Sequence, residues 1–164
     1  MLDAEYTAVR FDLNGDGHTD IAVATHDQGV VAVLYGDGTG GFEPVELDAE
    51  PDTFVHEVEV GDLNADGVLE IYATPSLPNK LDGTEQPGEV VRYVPAAGEG
   101  RKVVAALGDR HAKEILVDDV DGDGVDELYV AIEAVAGYGE YLHGEAIAIG
   151  LVCAVRLAVA GNVI

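Results

Sequence analysis

Short apolar runs, each bounded by Gly, Asp and Asn, dominate the chain. They carry the alternation and β-branching of strands, not a helical period. Tyr6 to Phe11 reads as a first strand and Ile21 to Thr25 as a second. Gly29 to Tyr35 is a third, Gly36 to Gly41 is a turn by composition, and Phe42 to Leu47 is a fourth strand with alternating faces. The order then restarts with Val55–Val60, Glu70–Thr74, Glu89–Val94 and Lys102–Leu107, interrupted by a Pro- and Gly-containing excursion from Pro75 to Gly88. A third round opens with Lys113–Val117 and continues from Leu128 to about Ile132. Beyond that point Ala and Leu dominate, and the pattern predicts a helix from Gly144 to about Val159, apolar nearly all round, with Glu145 in its first turn.

Between the first two strands of each round lies the same polar segment. The copies are Asp12-Leu-Asn14-Gly-Asp16-Gly17-His18-Thr-Asp20, Asp62-Leu-Asn64-Ala-Asp66-Gly67-Val68-Leu-Glu70 and Asp119-Val-Asp121-Gly-Asp123-Gly124-Val125-Asp-Glu127. Positions 1, 3, 5 and 9 carry oxygen-bearing side chains, and position 6 is always Gly. In a tightly curled loop alternate residues point inward, so positions 1, 3 and 5 converge while Gly permits the positive φ of the turn. Hard oxygen donors in that number suit Ca²⁺, which takes six to eight oxygens, better than Mg²⁺ with its stricter octahedron. The expectation is up to three bound Ca²⁺.

An EF-hand would need a bidentate Glu at position 12 and a helix after it. Position 12 is Val23, Ala73 and Val130, and β-rich sequence follows each loop. A strand–loop–strand site is therefore expected. Asp, Asn and Gly also form turns without any ion, but three copies in register, each ending in an acid before a strand, favour the ion reading.

The 164 residues suffice for one domain with a buried core, and the formal charge is −24. Such acidity argues against nucleic acid and anionic membranes as partners. Cys153 is the single cysteine, which excludes an internal disulfide and a thiolate zinc cluster. The start, Met1-Leu-Asp-Ala-Glu-Tyr, encodes no signal peptide. Loops of this kind are most useful outside the cell, so the expected setting is an extracellular or cell-surface parent protein of which this chain is a piece. The apolar run Ala146–Val155 is short for a membrane span. His18, His26, His56 and His111 show no ligand spacing and read as surface or rim residues.

Loop starts are separated by 50 residues (Asp12 to Asp62) and 57 residues (Asp62 to Asp119). That period, with four strands in each round, points to β-propeller blades. With Leu34-Tyr35-Gly36-Asp37-Gly38-Thr39-Gly40-Gly41-Phe42, the loops resemble the FG-GAP/VCBS repeats of integrin-alpha-type propellers over residues 5–132. The resemblance implies Ca²⁺ at positions 1, 3, 5 and 9 of each loop, with the backbone carbonyls of His18, Val68 and Val125 at position 7. Such propellers commonly close with about seven blades, whereas here there are two and part of a third (5–50, 54–108 and 112–132). The expected fold is mainly β: two and a half four-stranded propeller-type blades in 1–132, then a C-terminal apolar α-helix in 133–164.

Residues 131–158, with Ala131-Ile-Glu-Ala, Gly137-Tyr-Gly and Leu142-His143-Gly144-Glu145-Ala, resemble 3-dehydroquinate synthase. That resemblance implies His143 as a metal ligand and a lyase using NAD with Zn²⁺ or Co²⁺. The two upstream family histidines are replaced by Asp126 and Val130, and no nucleotide-binding domain precedes them, so activity in this chain is not expected. The chain reads as a composite. Its leading function is a non-catalytic calcium-binding module with a protein or carbohydrate ligand and possible self-association; the alternative is an inactive synthase fragment.

Overall fold

A computed structural model of the chain describes residues 6–78, 84–133 and 154–157. The first sheet contains β1 (Tyr6–Phe11), β2 (Asp20–Thr25), β3 (Val30–Gly36) and β4 (Phe42–Ala49), paired antiparallel in that order. The second contains β5 (Phe54–Gly61), β6 (Glu70–Ser76), β7 (Glu89–Val94) and β8 (Glu99–Ala106), with a single 3₁₀ turn at Pro95–Ala97. The third is β9 (His111–Asp118), β10 (Glu127–Glu133) and β11 (Ala154–Leu157). Each polar segment joins a sheet's first two strands, closing on the pairs Phe11↔Asp20, Gly61↔Glu70 and Asp118↔Glu127.

Strand alternation sends one face of each sheet to each neighbour. In the first sheet Ala22, Ala24, Val31 and Val33 pack with Val55, Val58, Ile71, Ala73, Val91 and Tyr93 of the second. The second sheet's opposite face, with Tyr72 and Val90, packs on Ile115, Val117, Leu128 and Val130 of the third. Polar ties reinforce both seams. Tyr93 donates its hydroxyl to Asp48 Oδ2 at 2.7 Å, Arg101 lies 3.4 Å from both Asp48 and Glu50, and Asp126 Oδ2 accepts the Asp62 amide at 2.9 Å. The ends of the excursion after β6 are pinned together by Leu77 N donating to Pro87 O at 2.9 Å.

Four expectations need correction. Ala154–Leu157 is a strand and not helix: its backbone pairs with Leu128–Ala131 of β10, whose second edge would otherwise be open. The third sheet accordingly has three strands. The remainder of the expected helix, and His143, lie outside the described residues. β4 shows no alternating burial, because it is the edge strand of its sheet and Phe42–Glu46 are all exposed. The histidines also differ from a simple rim. His26, His56 and His111, one from each sheet region, form a row with ring centroids 5.1 and 5.2 Å apart, and His111 is buried. Among the described residues no helix is long and apolar enough to cross a membrane.

Candidate metal centre

All three polar segments close on the same internal scaffold. In loop one Asp12 Oδ1 accepts the amides of Gly15 and Asp16 at 2.8 and 3.1 Å, and its Oδ2 accepts that of Gly17 at 3.0 Å. Loop three repeats this at Asp119, which takes Gly122, Asp123 and Gly124 at 2.8, 3.0 and 2.9 Å. Position 6 has φ of 84°, 83° and 90° in Gly17, Gly67 and Gly124, which is why no other residue stands there. Position 5 then folds onto position 7: Asp16, Asp66 and Asp123 accept the amides of His18, Val68 and Val125 at 2.8, 2.8 and 3.0 Å.

Asn14 and Asn64 each accept the amide of position 5 through the side-chain oxygen at 3.0 Å. Each also donates its amide nitrogen to the position 5 carboxylate at 3.0 Å. The His18 amide and the Asn14 side chain hold the Asp16 carboxyl below the usual carboxylate range. A carboxylate kept ionised in this way remains available to a cation.

The ninth position separates the loops. Asp20 is fully buried; its Oδ2 accepts the Leu13 amide at 2.8 Å and its Oδ1 the Gly36 amide at 2.9 Å. Glu127 likewise reaches back to position 2, accepting the Val120 amide at 3.2 Å. Glu70 does otherwise. Its Oε1 receives Arg92 Nη1 at 2.8 Å and its Oε2 receives the Tyr72 hydroxyl. Burial and this carboxylate together push the Tyr72 hydroxyl far above its ordinary pKa. In the same loop the Ala65 amide turns to the Asp62 backbone carbonyl at 3.2 Å, so the Asp62 carboxylate accepts two loop amides, Asp66 and Gly67.

Whether an ion fits is decided by how the donors gather. In loop three one oxygen from each of Asp119, Asp121 and Glu127 lies within 4.8 Å of the others. All are hard carboxylate oxygens, the donor set of a calcium or magnesium ion and not of zinc. Loop one shares loop three's hydrogen-bond frame, with Asn14 in place of the second carboxylate. The position 7 residues, His18, Val68 and Val125, stand in the loops with their carbonyls in the expected place in sequence. An open cleft of about 690 Å³ borders loop one, lined by Asn14, Asp16, Tyr35, Asp37 and Phe42 among others. Sequence reasoning missed Arg92 and Tyr72 as partners of Glu70. A basic residue at the centre of the apolar strand Glu89–Val94 was the available signal.

Residues 12–73 match the FG-GAP-like repeat family, a span running from the first position of loop one into β6. The chain is thus similar to a repeat module with a binding or structural role over that stretch. No curated protein and no solved structure matches it.

Proposed function

We propose that this chain is a calcium-binding module of propeller-type blades with a non-catalytic binding or structural role. The observation that carries the reading is the gathering of Asp119, Asp121 and Glu127 oxygens within 4.8 Å at a loop whose backbone is already folded around them. Such a cluster repels itself in a chain of charge −24, and a divalent cation relieves the repulsion. The residues that would hold it are Asp119, Asp121, Asp123 and Glu127, with the Val125 carbonyl, and at loop one Asp12, Asn14, Asp16 and Asp20, with the His18 carbonyl. Bound Ca²⁺ supplies charge neutralisation and cross-linking of the loop, not chemistry. The rigid loops then present the cleft beside Asn14 and Phe42 to a protein or carbohydrate ligand, in an extracellular or cell-surface parent where the ion is abundant. The half-exposed outer face of the first sheet, with Ile21, Val23 and Leu34, favours association with a further sheet.

Thermal melts with Ca²⁺ and with excess chelator test this. A filled site at a hundredfold excess over its Kd adds about 2.7 kcal/mol. The melt should rise by several degrees with Ca²⁺, and Asp123→Ala should remove part of the rise. Superimposable melts would reduce the loops to ion-free turns.

A further inference from the structure

Loops one and two place an asparagine at the same exposed position and hold its side chain in the same way. Asn14 and Asn64 each accept the amide of position 5 and donate to the position 5 carboxylate, all at 3.0 Å. They differ at the next backbone amide. Gly15 donates its N–H to Asp12 Oδ1 at 2.8 Å, whereas Ala65 donates to the Asp62 backbone carbonyl at 3.2 Å. Gly15, at φ 76°, leaves open space where a Cβ would stand, with nothing but its chain neighbours within 4 Å. Ala65, at φ 55°, fills that place with a methyl group.

An asparagine followed by glycine is open to an intramolecular reaction. The Gly15 nitrogen bonds to Asn14 Cγ and the Cγ–Nδ2 bond breaks. The proton shed by the Gly15 amide passes to the leaving nitrogen, which departs as ammonia. The five-membered succinimide then takes up one water and opens in either of two ways, to aspartate or to isoaspartate, whose backbone carries one extra carbon. Nothing is oxidised or reduced. A side chain on the attacking residue crowds the ring closure, and glycine has none. The attacking nitrogen must also give up its proton, and a carboxylate within hydrogen-bond reach can receive it where a backbone carbonyl cannot. Loop one meets both requirements and loop two meets neither.

We propose that Asn14 is a site of spontaneous deamidation in the folded chain, with Gly15 as the attacking residue, Asp12 as the proton acceptor and water as the co-reactant, and that Asn64 is spared. Loop three shows that the same frame accepts the aspartate product. Asp121 stands at the matching place and accepts the Asp123 amide at 3.2 Å, while the Gly122 amide goes to Asp119 at 2.8 Å. An aspartate at residue 14 gives loop one the four carboxylates of loop three. An isoaspartate lengthens the backbone and breaks the inward alternation of positions 1, 3 and 5. The modification stands without the calcium reading; its effect on the ion rests on that reading. One product adds charge to the cage and the other deforms it, so the affinity of loop one changes as the chain ages. A bound ion in turn engages Asp12 and the Asn14 oxygen and slows the reaction.

The test is incubation of the full chain at mildly alkaline pH, with chelator and with Ca²⁺, followed by fragmentation mass spectrometry and isoaspartate quantification. In chelator, wild type should accumulate the acid forms at residue 14 while Asn64 stays intact. Gly15→Ala should abolish the conversion, and loop two shows that alanine is accommodated at that place. Asp12→Asn keeps an acceptor for the Gly15 amide but not a base, and should slow the conversion severalfold; a loop that was merely loosened would react faster. Should Asp12→Asn fail to fold, Gly15→Ala and the comparison with Asn64 in the same chain still decide. No acid at residue 14, equal conversion at Asn14 and Asn64, or an Asp12→Asn rate at or above that of wild type would overturn the inference. Conversion at Asn14 that Ca²⁺ fails to slow would support the modification and count against an ion at loop one.

Discussion

Acidification is expected to loosen the seams between the sheets through His56. Its ring lies between His26 at the end of β2 and His111 at the start of β9, with centroids 5.1 and 5.2 Å away. Its Nε2 meets Ser76 Oγ at 2.9 Å and Gln86 Nε2 at 3.4 Å, while Lys113 Nζ stands 3.5 Å from Nδ1. Asp27 is bonded to His26 at the end of the row, its Oδ1 lying 2.6 Å from His26 Nδ1. Burial, then Lys113 and the two histidines, lower the His56 pKa from 6.5 to about 3. A histidine depressed in this way is neutral in the fold and charged in the unfolded chain at acid pH. Its contribution is therefore whole above about pH 6.5 and falls as pH drops toward about 3. Between pH 7 and pH 5 the proton linkage amounts to roughly 2 kcal/mol, and screening of a half-buried ring brings it to about 1 kcal/mol. For a chain of this size that is a fall in Tm of about 2–4 °C. The assay is a pair of melts at pH 7 and pH 5, in saturating Ca²⁺, for wild type and His56→Gln. The amide keeps polar contacts but does not titrate, so the variant should lose markedly less than wild type. Equal losses in the two proteins would refute the argument.

Three further outcomes follow from packing. Gly61→Ala places a methyl group into Val117 Cγ1 and 3.0 Å from Asp126 Oδ2, and should cost about 1–3 kcal/mol in urea unfolding. Ile71→Ala empties a fully buried position between the first two sheets; a loss of about 2–5 kcal/mol with an unchanged m-value is expected. Ala65→Gly relieves a left-handed backbone at φ 55°, and the gain, set against the greater freedom of Gly when unfolded, should be about 0.5 kcal/mol by the same measurement.

Much of the architecture was legible because its determinants are local. The apolar runs fall within a few residues of the observed strands, and the Asp-rich spacing marks each loop because a curled backbone demands those residues at those places. Where sequence reasoning fell short, the deciding partner is remote. Ala154–Leu157 looked helical from its Ala and Leu content, but the free edge of β10 sets its state, and nothing near residue 154 announces that edge. The histidine row is invisible in spacing, since His26, His56 and His111 meet only when three sheets stack. Glu70 and Arg92 are 22 residues apart and become neighbours through strand pairing.

The two seams are filled by different volumes. The first sheet offers Ala22 and Ala24 to the second, and the second offers Tyr72 and Val90 to the third. A rearranged chain that set the first sheet against β9 and β10 would put a methyl group where a phenol now fills the gap, and would leave a void. The order of the sheets is thus written in side-chain size, and a permuted or domain-exchanged assembly would be disfavoured by steric misfit even though its backbones are near copies.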